Sequence, residues 1–153
     1  MEYLFNEVIG FPKMQNYNAV FGELNTEDCV FSELTIKDKK YCFEGYSEDH
    51  YLKNANVVLI NMWNKIVIFS INDGNLLFYS GLNNSFVGVE ELKMDFLITT
   101  DSSLFLINKT YFYPWGFKIF TDHIQDYEID KNSYNVTLKF AVDDDITVKL
   151  NSI

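Results

Sequence analysis

Two imidazoles, two thiols and 22 carboxylates are the groups on this chain best suited to proton transfer, nucleophilic attack or metal binding. Their spacing does not assemble them. His50 and His123 each follow an aspartate, Asp49 and Asp122. Neighbours along a strand point to opposite faces, so neither pair makes an acid–base couple within one strand. Neither histidine stands in a His-Glu-x-x-His pattern and no Cys-x-x-Cys occurs, which removes the commonest zinc arrangements. Cys29 and Cys42 lie 13 residues apart and read as buried thiols of a cytosolic chain. The acids are numerous enough for a glycosidase-like pair or a calcium loop. Asp143, Asp144 and Asp145 are consecutive, however, without Asp-x-Asp-x-Asp-Gly spacing, and read as a solvated acidic turn between strands. The seven glycines never approach Gly-x-Gly-x-x-Gly, so no phosphate cradle is expected. The expectation is a non-enzyme without metal or cofactor.

Charge narrows the partners. All 12 basic residues are lysine, against 22 acids, for a formal charge of −10. Arginine is the side chain that grips phosphates in paired hydrogen bonds, so nucleic acid and anionic membrane are poor ligands for this surface. Residues 1–76 hold 11 acids and 6 lysines, and residues 77–153 hold the same numbers, a net of −5 in each half. The negative field therefore belongs to the whole folded body and not to a tail. The first residues lack the basic start and apolar run of a secretory signal, and no segment approaches a membrane-spanning helix. A cytoplasmic protein of an AT-rich bacterium is expected.

The elements that must position these groups read as strands. With 153 residues, 48% apolar and 17% aromatic, the chain has the means to bury a core. Helical periodicity is scarce. Short apolar runs broken by Asn, Asp, Gly and Ser cover 57–62, 66–71, 76–80, 86–90, 96–100, 104–107, 117–120, 124–129, 136–142 and 146–150. This predicts an all-β antiparallel meander of about ten to twelve strands with little helix, propeller-like or a two-sheet sandwich or barrel. A hairpin is expected around 37–39, strands at 3–5 and 19–21, and a short helix starting at Ser47. Asp73-Gly74 predicts a two-residue hairpin turn that sets Phe69 opposite Phe78. In the last hairpin, avoiding a Lys139–Lys149 clash predicts Lys139 opposite Thr147. A weak repeat relates residues 57–70 to 95–108 at an offset of 38. It divides a single domain, 1–153, into four-stranded units near 57–91 and 95–129, each resembling a propeller blade.

Candidate binding residues follow from the aromatic clusters. Tyr111, Tyr113 and Trp115 crowd around Pro114 and are placed on a loop, where amphipathic rings make hot spots. Trp63 is placed in the matching turn of the preceding unit. Glu90, Glu91 and Asp95 nearby, with Asp143, Asp144 and Asp145, complete an aromatic and acidic surface. Such a surface suits a basic protein. In size, charge and lack of catalytic motifs the chain resembles, in kind, the immunity proteins that neutralise basic nuclease toxins. The alternatives are a barrel holding a small apolar ligand, a carboxylate-dependent enzyme, or a homodimer formed through an exposed edge strand.

Overall fold

A computed structural model describes residues 3–22 and 30–153. It is all-β: fifteen strands in four small sheets, with two single turns of 3-10 helix, Met14–Asn16 and Leu150–Ser152. The chain divides into two compact units, one ending at Gly81 and the other spanning Leu82–Ile153. Cys29 lies outside the described residues.

The first unit holds two sheets. Strands β1 (Leu4–Val8), β2 (Ala19–Phe21), β3 (Phe31–Ile36) and β4 (Lys39–Glu44) form sheet A in the order β1-β3-β4-β2. The β2–β4 pair is parallel, unlike the rest. Strands β5 (Glu48–Leu52), β6 (Val57–Asn61), β7 (Lys65–Ser70) and β8 (Leu76–Gly81) form sheet B as a simple meander. The continuous apolar runs of β6 and β7 are buried on both faces, as such runs should be. One face carries Val58, Ile60, Val67 and Phe69 into a core shared with Leu34, Ile36, Tyr41 and Phe43 of sheet A. Phe69 is its hub, 4.3 Å from the Tyr41 ring centroid, 6.0 Å from Phe21 and 6.1 Å from Phe43. Cys42, on the same strand β4, is fully buried. Burial first, then Glu33 and Glu44, pushes its thiol up to about 11, so it is a neutral core group.

The second unit repeats the plan. Strands β9 (Phe86–Glu91), β10 (Asp95–Thr100), β11 (Ser103–Asn108) and β12 (Pro114–Ile119) form sheet C, again a four-stranded meander. Strands β13 (Ile124–Asp130), β14 (Asn135–Phe140) and β15 (Ile146–Lys149) form sheet D, which has three. Leu97, Leu104 and Leu106 of sheet C meet Val136, Leu138 and Val148 of sheet D in one core. Among the described residues each sheet is open at both ends and none closes into a barrel. The offset of 38 relates β5 through β8 to β9 through β12 strand by strand, with β7 and β8 beginning at 65 and 76 and β11 and β12 at 103 and 114. The hydrogen-bonded sets run 48–81 and 86–119, one strand earlier in phase than 57–91 and 95–129.

Three local expectations are corrected. The helix expected from Ser47 is strand β5, paired from Glu48 opposite Asn61 to Leu52 opposite Val57. The unsatisfied edge of a buried strand β6 outweighs a capping signal worth about 1 kcal/mol. The β7–β8 turn is not the two-residue type. Ser70 N–H donates to Asn75 O (2.9 Å) and Gly74 N–H to Ser70 O (2.9 Å), which lengthens the turn and leaves a bulge. Phe69 therefore stands opposite Leu76 and Ile68 opposite Phe78. The last hairpin is wider by two residues than expected, with Thr137 opposite Thr147 and Leu138 opposite Ile146. Lys139 turns the other way, to Asp126 (3.5 Å) and Glu128 (2.5 Å) on β13. A shift of two keeps every side chain on its face, so Val136, Leu138, Val148 and Leu150 are still buried.

Candidate functional site

The aromatic cluster sits on the β11–β12 turn, which is held from within. Asn108 Oδ1 accepts the N–H groups of Thr110 (2.9 Å) and Tyr111 (3.0 Å), while Phe112 N–H donates to Asn108 O (3.0 Å) and Asn108 N–H to Tyr113 O (2.9 Å). The last two bonds reproduce the pattern of the β7–β8 turn 38 residues earlier. Gly74 there has φ +66°, and Phe112 here has φ +52°. A bulky residue in that left-handed region carries strain of order 1–2 kcal/mol, offset in part by the packing of its ring on Phe96 at 6.2 Å. The result is a rigid turn that stacks Tyr111 on Tyr113 (6.4 Å, 22°) with Tyr111 76% exposed. Trp115 is not on the loop. It is the extra residue of a bulge in the edge strand β12, opposite the Leu106–Ile107 step. Pro114 opens that strand, where a missing N–H is tolerated.

The acids at this end have structural partners. Asp95 is 4% exposed and accepts from Trp115 Nε1 (2.8 Å) and from the Tyr134 hydroxyl. Burial, reinforced by Asp95, holds the Tyr134 phenol well above its usual value. Glu91 pairs with Lys109 Nζ (2.8 Å), which also donates to Leu92 O (2.9 Å) and stands over the Phe96 ring at 5.9 Å. Glu90 pairs with Lys131 (2.8 Å). This end is therefore aromatic, with Glu90 and Glu91 paired to lysines and Asp95 held by two neutral donors. Glu90, Glu91 and Asp95 clamp the β9–β10, β11–β12 and β13–β14 turns together.

Asp143, Asp144 and Asp145 stand at the opposite ends of the strands, on the β14–β15 connection. All three are exposed, and no ion pair among the described residues involves them. Asp122 shapes the connection, its Oδ2 accepting the N–H of Asp143 (2.8 Å) and of Val142 (2.9 Å). These bonds, Asp143 first, hold the Asp122 carboxyl below the usual carboxylate range. Beside the connection lies an open groove of about 280 Å³, lined by Ile119, Phe120, Phe140 and Ile146 with Asp122, Asp143 and Asp144 at its polar side. Phe120 and Phe140 pack ring to ring at 5.6 Å. Apolar walls with a carboxylate rim suit the stem and cation of a basic side chain. A larger groove of about 580 Å³ in the first unit is lined by Lys37 and neutral residues and has no acid.

The sequence-based candidates thus fall into three places. Glu90, Glu91, Asp95, Tyr111, Tyr113 and Trp115 come together at one end of the second unit. Asp143, Asp144 and Asp145 lie at its other end. Trp63, 64% exposed with φ +66°, belongs to the β6–β7 turn of the first unit. At the repeat offset it corresponds to Asp101 and not to the aromatic turn, whose counterpart is 71–75, because strand order fixes which turns are equivalent. The groove walls Phe120, Phe140 and Ile146 escaped the sequence reading. Nothing in a linear pattern shows that 119–122 and 140–146 meet.

His50 is half-buried on β5, where burial lowers its imidazole pKa. His123 is exposed, its Nδ1 3.9 Å from Asp101 Oδ2. Among the described residues no group of three His, Cys, Asp or Glu is placed to hold a metal, and no helix is long and apolar enough to cross a membrane.

No protein-family model and no curated protein matches the chain. Solved structures resemble it in fold. The dihydro-heme d1 dehydrogenase NirN, solved in complex with DHE, superposes with a TM-score of 0.59 at 11% identity, over 81% of this chain and 32% of that one. The chain thus spans about a third of that protein's length. The computationally designed Ika4 protein superposes with a TM-score of 0.57 at 9% identity, over 86% of this chain and 89% of that one. At such identities the likeness is one of fold alone.

Proposed function

We propose that the protein is a non-catalytic binding module that docks a basic protein, acting as an immunity or inhibitor protein does toward a basic, nuclease-type toxin domain. The observation that carries this reading is the acidic end of the second unit, where Asp143 and Asp144, exposed and without an ion-pair partner among the described residues, line a groove with apolar walls, and Asp145 follows them on the same connection. A body at −10 steers a cationic partner toward it. Carboxylates already held by lysines would add little to that field, which sets this end apart from Glu90 and Glu91. The stacked Tyr111 and Tyr113 offer a rigid apolar contact that needs little further ordering.

The test looks for a large toxin gene immediately upstream of this gene and uses the C-terminal domain that it encodes. Replacing Asp143, Asp144 and Asp145 by lysine is expected to slow association at least about tenfold at low salt, with the difference closing as salt rises. Tyr111→Ala with Tyr113→Ala is expected to speed dissociation and leave the association rate unchanged. No upstream toxin gene, no complex, or an association rate indifferent to salt defeats the reading.

A further inference from the structure

The observation is an unpaired strand edge. Among the described residues, sheets A, B and C have four strands each and sheet D has three. Its last strand, β15, pairs with β14 on one side only. Leu150 N–H donates to Tyr134 O (3.0 Å). By antiparallel alternation, residues 146, 148 and 150 direct their main-chain groups to β14, and 147 and 149 direct their N–H groups to the open edge. Thr147 and Lys149 are exposed, and Ile146 is 39% exposed.

We propose that this edge is a self-association surface, on which a second copy of the chain supplies the fourth strand by antiparallel pairing of β15 with its two-fold mate. The charge pattern selects that occupant and its register. The strand ends on a base, Lys149, and is entered from an acid, Asp145, the last residue of the β14–β15 connection, with Thr147 midway between them. Antiparallel pairing about Thr147 sets Thr147 against Thr147 of the second copy and Asp145 against Lys149 in both directions. The same register places Ile146 opposite Val148 of the second copy, which covers the exposed apolar side chain. It aligns the outward N–H and C=O of Thr147 with those of its mate, and the Lys149 N–H with the Asp145 C=O of the second copy. Lys149 O is not available to the second copy, because it caps the 3-10 turn Leu150–Ser152 and accepts from Ser152 Oγ (2.6 Å). A parallel strand of the same sequence would set like charges side by side, which is unfavourable. The edges of β8 and β12 lack this self-complementarity and belong to sheets that already have four strands.

Each protomer carries −10, so long-range repulsion opposes the dimer and salt relieves it. Self-association is therefore expected to strengthen as salt rises, opposite to the capture of a basic partner.

The test is sedimentation equilibrium of the intact chain up to about 1 mM, the range that resolves weak dimers, at about 0.05 and 0.5 M salt. A monomer–dimer equilibrium favoured by the higher salt is expected. Thr147→Pro removes an outward N–H and leaves the β14 ladder intact, and should weaken the dimer at least about tenfold. Lys149→Glu should weaken it likewise, and adding Asp145→Lys should restore it to within about threefold. That rescue keeps the test decisive if the proline variant folds poorly. Monomer at every concentration overturns the proposal, as does a dimer indifferent to Thr147→Pro and Lys149→Glu, or a charge swap that fails to rescue. Lys149→Glu leaves Asp143, Asp144 and Asp145 in place, so capture of the basic toxin domain should survive it, and the two readings fail separately.

Discussion

Asp95 shows how far a residue's role depends on neighbours distant in sequence. It is a buried carboxylate whose donors, Trp115 and Tyr134, lie 20 and 39 positions away. A charged acceptor that loses one donor in a low-dielectric site costs about 1–3 kcal/mol. Tyr134→Phe and Trp115→Phe are each expected to destabilise by about that amount in denaturant unfolding. The double variant should be non-additive, because both act on one carboxylate. Additive losses would show that Asp95 does not couple them. Asp122 makes a prediction in pH. Its carboxyl is depressed by the N–H groups of Asp143 and Val142, so its contribution is present above the unfolded carboxylate pKa and fades as pH falls through the lower folded value. Asp122→Ala should therefore be less stable than the natural chain at neutral pH and converge with it at strongly acid pH. A gap independent of pH would refute the assignment.

At the scale of the element, the turn at Gly74 is the most demanding. Its φ of +66° favours glycine. A Cβ there would sit 3.1 Å from Ile36 O, and Gly74 O also accepts from the Tyr41 hydroxyl (2.6 Å). Gly74→Ala should cost about 1–2 kcal/mol and perturb the Tyr41–Phe69 contact, readable in near-ultraviolet circular dichroism. Unchanged stability would mean that the turn relaxes freely. The strand runs were legible in sequence because alternation and continuous apolarity record burial directly. Register was not. The β7–β8 bulge and the wide β14–β15 connection are set by Ser70, Asn75 and Asp122, whose hydrogen bonds no periodicity records. The expected helix at Ser47 failed for a related reason, since cap chemistry is local and the demand of β6 for a partner is not.

At the scale of the whole molecule, excess negative charge competes with a few ion pairs. Glu33–Lys40, Glu91–Lys109, Glu90–Lys131 and the Lys139 pairs are partly solvated, and such pairs contribute about 0–1 kcal/mol each. A net of −10 repels itself throughout the folded body. Repulsion should dominate, so the thermal midpoint is expected to rise between about 0.01 and 0.15 M salt. A falling midpoint would show that the ion pairs outweigh the net charge.

The sequence by itself determined the β class, the positions of the apolar strands though not of β5, the 38-residue repeat and the sign of the net charge, because burial and charge are written residue by residue. Tertiary structure decided which acids are exposed. Glu90, Glu91 and Asp95 look no different in sequence from Asp143, Asp144 and Asp145. Only the folded chain brings Lys131, Lys109, Trp115 and Tyr134 to the first three, and leaves the last three exposed on one connection, where Asp143 and Asp144 line a groove and Asp145 leads into an unpaired strand edge. A carboxylate takes its role from what donates to it, and those donors arrive through strand pairing across the sheets.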